Sequence, residues 1–202
     1  MIQPFKCGDT RALYETDKTT RFSSIQAVAE RKLSQLAAAA TLGFLQSPPG
    51  NRLEALSGDR AGQHGVRIND PWRVCFVWTV YGPAHVEIVD YPLMLFSMEI
   101  GMIKHGMRAV HPGEVLREDF LKPLGMSAHA LSKALHVPAS RVNDIVLERR
   151  DVSPDTALRL ARFFGGDAQS WLNLQQMHDL KLAETEMASR IEAEIEPLAQ
   201  SI

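Results

Sequence analysis

Between residues 25 and 40 apolar side chains return at three- and four-residue steps: Ile25, Val28, Ala29, Leu33, Leu36, Ala37 and Ala40. That spacing predicts a helix with one buried face, and Ser23 or Ser24 is placed to cap its start. Pro48-Pro49-Gly50-Asn51 then turns the chain, and the period changes to two. RLEAL, HGVRIN, WRVCFVWTV and HVEIVDY read as four strands, separated by SGDRAG, a tight Asn69-Asp70-Pro71 connection and YGPA. Ahead of the helix, Ile2, Phe5 and Cys7 open a short strand, and Thr10 to Thr16 make one or two helical turns. The first half is therefore an α+β unit, a helical arm followed by a small antiparallel sheet.

Beyond residue 107 the grammar is helical throughout. Pro112 suits a first turn, with Val115, Leu116, Phe120 and Leu121 as the apolar face, and Pro123-Leu124-Gly125 as the stop. Ser127 caps a second helix running to Leu135, with Ala130, Leu131, Ala134 and Leu135 inward. A brief turn at His136-Val137-Pro138 leads to a third helix, Ala139 to Leu147, with Val142, Ile145 and Val146 inward. Ser153-Pro154-Asp155 starts a fourth, closed by Gly165-Gly166, and a last long helix carries Trp171, Leu174, Leu180, Met187, Ile191 and Ile195. The acidic residues of its end read as a solvated face, as a contact for a basic partner or as an extension of a dimer contact.

The stretch joining the halves, LMLFSMEIGMI, is too short to span a bilayer and is broken by Glu99. Pro4, Lys6 and Asp9 interrupt the apolar run that a signal peptide would need, so a cytoplasmic protein without membrane contact is expected. A net charge of −2 supplies no global basic field, so any nucleic-acid contact must come from locally placed arginines. Two isolated cysteines, Cys7 and Cys75, suit reduced core positions rather than a disulfide or metal framework, and neither metal nor cofactor is expected.

Strand alternation sends Arg67 and Arg73, on either side of the Asn69-Asp70-Pro71 turn, to the sheet face opposite Val66, Ile68, Val74 and Phe76. Two guanidiniums on one rigid face make a phosphate site, or else a solvated pair partnered by Asp70 or Glu87. The run VRIN…WRVCF…VEIVDY, and nearly all of residues 1–92, resembles HigB-type toxins, a GraT-like branch of the RelE-like superfamily. The resemblance implies a ribosome-dependent endonuclease that cuts mRNA without a metal. It makes Arg67, Arg73 and Tyr91 catalytic, with attack by the substrate's own 2′-hydroxyl on the adjacent phosphate. Relatives carry histidine and lysine where this chain has Glu54 and Ser57, and often end in histidine where Pro92 stands. Glu54 is then either a general base or a solvated carboxylate.

In the second half, a short helix, a tight turn and another short helix with polar residues at its start form a helix-turn-helix. Arginine and asparagine read base edges and serine holds phosphate, although a small bundle need not bind DNA. HPGEVLREDFL, PASRVNDI, SPDTALRLARFFG and WLNLQ resemble HigA-type antitoxins, GraA-like and of the Xre, lambda-repressor-like class. The resemblance implies an operator-binding homodimer in which Ser127, Ser140, Arg141 and Asn143 contact DNA. Ala128 stands where relatives commonly have glutamine.

The chain thus divides into a toxin-like domain (1–92), a junction (93–106) and an antitoxin-like domain (107–202) whose helix-turn-helix covers about 127–147. That is the toxin-then-antitoxin order of a type II system, with Met102 or Met107 as a former start. Two functions follow: a self-neutralised toxin–antitoxin module whose partners are operator DNA, ribosome and mRNA, or a DNA-binding regulator with an inactive toxin half.

Overall fold

The computed structural model of the chain describes residues 2, 4–16, 19–90 and 107–196. α1 (Gly8–Thr16), α2 (Gln26–Ala38) and α3 (Leu42–Gln46) precede β1 (Glu54–Ala55), β2 (Gln63–Arg67), β3 (Trp72–Thr79) and β4 (Gly82–Asp90). The strands lie in the order β1-β2-β3-β4, each antiparallel to its neighbour. Val66, Val74, Phe76, Val86 and Ile88 are buried, as the period-two pattern requires. The expected opening strand is a single parallel bridge from Phe5 to Val86, because the chain enters α1 at Gly8. Neither Ser23 nor Ser24 caps α2; Ile25 holds the cap position and no side chain serves the first turn.

The second half contains α4 (Pro112–Val115), α5 (Lys122–Leu124), α6 (Ala128–Ala134), α7 (Ala139–Val146), α8 (Pro154–Phe164) and α9 (Ala168–Glu194). The Pro123-Leu124-Gly125 segment does end the first of these, but Pro123 itself lies inside the helix. Residues Leu116–Leu121 wind as a π-helix that joins α4 to α5. Proline brings no N–H to the Asp119 carbonyl, and the widened turn absorbs it: the Lys122 N–H reaches back to the Arg117 carbonyl. Gly125, at φ +59, ends the element instead. Side-chain caps start most of the others: Ser127 accepts from the Ala130 N–H, Ser153 from Thr156 and Asp167 from Ser170. Ala130 and Ala134, expected inward, are exposed; Leu131, Ser132 and Leu135 are the buried positions of that helix and its C-cap.

One hydrophobic core runs through both halves. Phe44 of α3 meets Trp171 of α9 edge-on at 5.7 Å, and Phe120 of the π-helix lies 5.3 Å from the same indole. Caps are exchanged as well. The C-terminal end of α2 is closed from the other half, where Asn173 donates to the Ala38 carbonyl at 2.8 Å and Ser170 Oγ accepts from the Ala40 N–H at 2.9 Å. Thr41 donates to Asp167 at 2.6 Å. Met107 is fully buried, and its backbone N–H donates to the Tyr14 carbonyl at 3.0 Å.

Candidate functional site

Arg67 and Arg73 are direct cross-strand partners in the β2–β3 register, on the sheet face away from the apolar core. Cross-strand neighbours have Cβ atoms about 5 Å apart, so the two side chains leave the sheet side by side. Each is half-buried and each meets a carboxylate. Arg73 Nε donates to Glu54 at 2.8 Å, and Arg67 pairs with Asp70. Gly65 lies beneath the Glu54–Arg73 pair: a Cβ there would make ordinary contacts with Glu54 Cγ at 3.6 Å and Arg73 Cδ at 3.7 Å, and a tighter one, 3.3 Å, with Leu56 Cδ2. The sheet thus brings three predicted residues together: Arg67, Arg73 and Glu54. The fourth, Tyr91, lies outside the described residues, as does the junction 93–106.

Next along the same face, Cys75 is fully buried between Gly65 and Glu87. Burial pushes its thiol up to about 11, so at neutral pH it is a protonated core group rather than a nucleophile. Glu87 accepts from Lys6 at 3.1 Å and from Arg60 at 2.9 Å, so it is not the partner of Arg67 or Arg73. His64 belongs to the other face, stacked on Phe76 at 5.7 Å, with its Nδ1 buried and without a hydrogen-bond partner.

In the second half, α6 and α7 pack against each other across the turn at residues 135–138, where His136 takes φ +53. Val142 and Ile145 are buried, while Ser140 and Asn143 are exposed at the start of α7 and Arg141 is half-exposed beside them. Arg141 is held by Asp155 of α8 at 2.6 Å, and Arg159 takes the other oxygen of that carboxylate at 2.9 Å. The two arginines hold Asp155 below its ordinary range. Ser127 spends its oxygen on the Ala130 N–H at 3.1 Å. Lys133, Arg149 and Arg150 are exposed nearby, with Arg149 also paired to Asp144.

The region that patterning missed lies between the halves. Glu30, Arg31, Lys32 and Gln35 of α2 are all buried, as are Glu114 and Asp119 opposite them. Their ion pairs form one unbroken chain of alternating sign. Glu30 binds Arg108 at 2.8 Å, and Arg108 binds Glu114 through two nitrogens at 2.8 and 2.9 Å. Glu114 meets Arg31 at 3.2 Å, Arg31 meets Asp119 at 2.8 Å, and Asp119 meets Lys32 at 2.5 Å. Gln35 also donates to Asp119, and Lys32 to Asn51. Burial draws the Lys32 ammonium down, and Asp119 opposes it. Burial would raise Glu114, but Arg108 and Arg31 outweigh it and hold the carboxyl below its usual value. A stripe analysis expects such side chains in water; only a contact distant in sequence reveals them.

Among the described residues no His/Cys/Asp/Glu group has the geometry of a metal site, and no helix is long and apolar enough to cross a membrane.

Comparison with known proteins agrees with this two-part organisation. Residues 4–92 match the RelE-like toxin of type II toxin-antitoxin system HigB, and residues 118–171 match a helix-turn-helix family. The virulence-associated protein I of Dichelobacter nodosus is 62% identical over 92 residues, 46% of this chain and 85% of that protein. Toxin HigB-1 of Vibrio cholerae is 40% identical over 80 residues, 39% of this chain and 84% of the toxin. Antitoxin HigA-1 of the same organism is 34% identical over 79 residues, 39% of this chain and 74% of the antitoxin. The chain belongs to the HigB-like toxin family in its first half and to the HigA-type helix-turn-helix antitoxins in its second.

Proposed function

We propose that the chain is a toxin–antitoxin module in a single polypeptide, an RNA-cleaving half held by a DNA-binding half that represses its own operon as a dimer. The observation that carries the first part is the side-by-side placement of Arg67 and Arg73 on one face of the sheet. Such a pair stabilises the charge that develops when a ribose 2′-hydroxyl attacks its own phosphate. Glu54, already against Arg73, is positioned to take the hydroxyl proton, and Tyr91 is assigned to base stacking or ribose orientation. No metal enters this chemistry. Among the described residues the second half packs on the α2 side, which supports neutralisation by bulk: it denies the first half entry to the ribosome, and cleavage stays silent in the intact chain.

For the second half, Ser140, Arg141 and Asn143 at the start of α7 are assigned to base and phosphate contacts in the major groove, with Ser127 at the start of α6. Operator DNA must then compete with Asp155 for Arg141. Function in the cytoplasm follows from both activities.

A second reading has one observation in its favour. Both arginines of the sheet face are occupied by carboxylates, Asp70 and Glu54, which suits a DNA-binding regulator with an inactive toxin half. Expression of residues 1–92 beside the full chain, with mRNA ends mapped in both, separates the two. Growth arrest with cleavage by the fragment, lost on Arg73→Ala and absent from the full chain, supports the module. A folded, soluble fragment that neither arrests growth nor cleaves leaves the regulator. Arg141→Ala in the full chain tests DNA recognition, with an expected loss of about 1–3 kcal/mol and relaxed base preference; unchanged binding removes Arg141 from the readout.

A further inference from the structure

The buried charges between the halves do more than hold them together. Along α2 they run minus, plus, plus: Glu30, Arg31, Lys32. The opposing surface presents plus, minus, minus: Arg108, Glu114, Asp119. Four of the five links cross from one half to the other; only Arg108 to Glu114 stays within the second half. Glu30, Lys32 and Asp119 are each at most 3% exposed, so none can turn to water if its partner is missing.

We propose that this six-residue chain of charges is the specificity determinant of pairing. It makes α2 accept only an antitoxin surface with a cation at 108 and carboxylates at 114 and 119, whether that surface comes from the same chain or from a second copy. The proposal does not depend on whether the arginine face cleaves RNA. Its physical basis is an asymmetry in buried ion pairs. A pair replaced entirely by apolar groups costs little, whereas a pair that loses one member leaves an uncompensated charge in the interior. An antitoxin surface with similar shape but a different charge order is therefore rejected, although its apolar contacts are intact.

The ladder has two ends, and this provides the test. Lys32 and Asp119 form the terminal link, so removing both leaves Glu30, Arg108, Glu114 and Arg31 balanced. Removing Asp119 alone strands Lys32 and leaves Arg31 with a single carboxylate.

The experiment uses the full chain with a protease site introduced between residues 93 and 106, cut after folding so that only the interface joins the halves. Dissociation is then measured on dilution. Asp119→Leu is expected to weaken association at least about 100-fold, and Lys32→Met/Asp119→Leu to recover at least about tenfold of that loss, although it removes more polar contacts. Lys122→Leu, which breaks the exposed pair with Glu118, is expected to change affinity by less than about threefold. The opposite end gives an independent comparison, Arg108→Met against Glu30→Gln/Arg108→Met, and decides the matter if Asp119→Leu does not fold. The proposal is overturned if either double variant pairs no better than its single, or if Asp119→Leu pairs as the unsubstituted chain does.

Discussion

Gly113→Ala is the smallest substitution with a large expected effect. A Cβ at this position would lie 1.8 Å from the Ile145 carbonyl oxygen and 2.8 Å from its carbon. Both are backbone atoms of α7, so no side chain can swing aside. Reaching even a 3.0 Å separation requires α4 and α7 to part by about 1.2 Å in a packed interior, and overpacking of this kind costs about 3 kcal/mol or more. Alanine returns at most about 1 kcal/mol through its better helix propensity. A net loss of about 2 kcal/mol corresponds to a fall in Tm of about 4–8 °C in a chain of this size. Differential scanning calorimetry measures it, with Gly8→Ala as the control: nothing lies within 4 Å of a Cβ there, and Tm should hold or rise slightly. A fall below 2 °C for Gly113→Ala would refute the argument that α4 and α7 meet backbone to backbone. Because Ile145 sits on the helix assigned to DNA, operator affinity should fall with it.

Three further outcomes follow from particular side chains. His111 is buried against His178 at 4.7 Å, and its Nδ1 accepts the Gly113 N–H at 2.9 Å. Burial, then His178, draws its pKa below the ordinary value. The unfolded chain therefore binds the proton first: the contribution of His111 to stability is complete above about pH 6.5 and is lost as the pH falls toward its folded pKa. Urea midpoints between pH 7.5 and 5 should decline, and the part of the decline due to this group should vanish in His111→Asn. Ser153→Ala, which removes the acceptor for the Thr156 N–H, should cost about 1 kcal/mol in urea unfolding, and an unchanged midpoint would show the cap to be idle. Trp171→Phe should cost less than the usual large-to-small change, under about 1.5 kcal/mol, because the buried indole N–H that it removes has no partner; a loss above about 3 kcal/mol would mean that this N–H is served.

The sequence exposed the fold through its periods. Alternation in HGVRIN and WRVCFVWTV placed Arg67 and Arg73 on one face, and the register pairs them directly. Ser127, Ser153 and the Gly165-Gly166 stop marked helix ends correctly. Three kinds of position resisted. The stop at Pro123-Leu124-Gly125 was legible, but no local pattern announces that a π-helical turn carries Pro123 and leaves the ending to Gly125. Glu54 was legible as a candidate, yet its contact with Arg73, two strands away, depends on the pairing register of β1, β2 and β3 rather than on any local pattern. The burial of Arg31 and Lys32 was invisible because polar side chains are assigned to solvent by default, and their partners lie more than eighty residues away. Short-range rules see one face of α2; the long-range partner supplies the other.

Phe44, Phe120 and Trp171 form one aromatic cluster from both halves, and this changes how the halves can ever separate. Two free proteins held by an interface part on dilution, and the released fraction depends on how much of each the cell makes. Within one chain, opening this cluster is a unimolecular event, indifferent to concentration and to expression ratio. Its timing is set by the barrier to pulling the aromatic rings out of their shared core. The first half is then uncovered on a clock rather than by a balance of amounts.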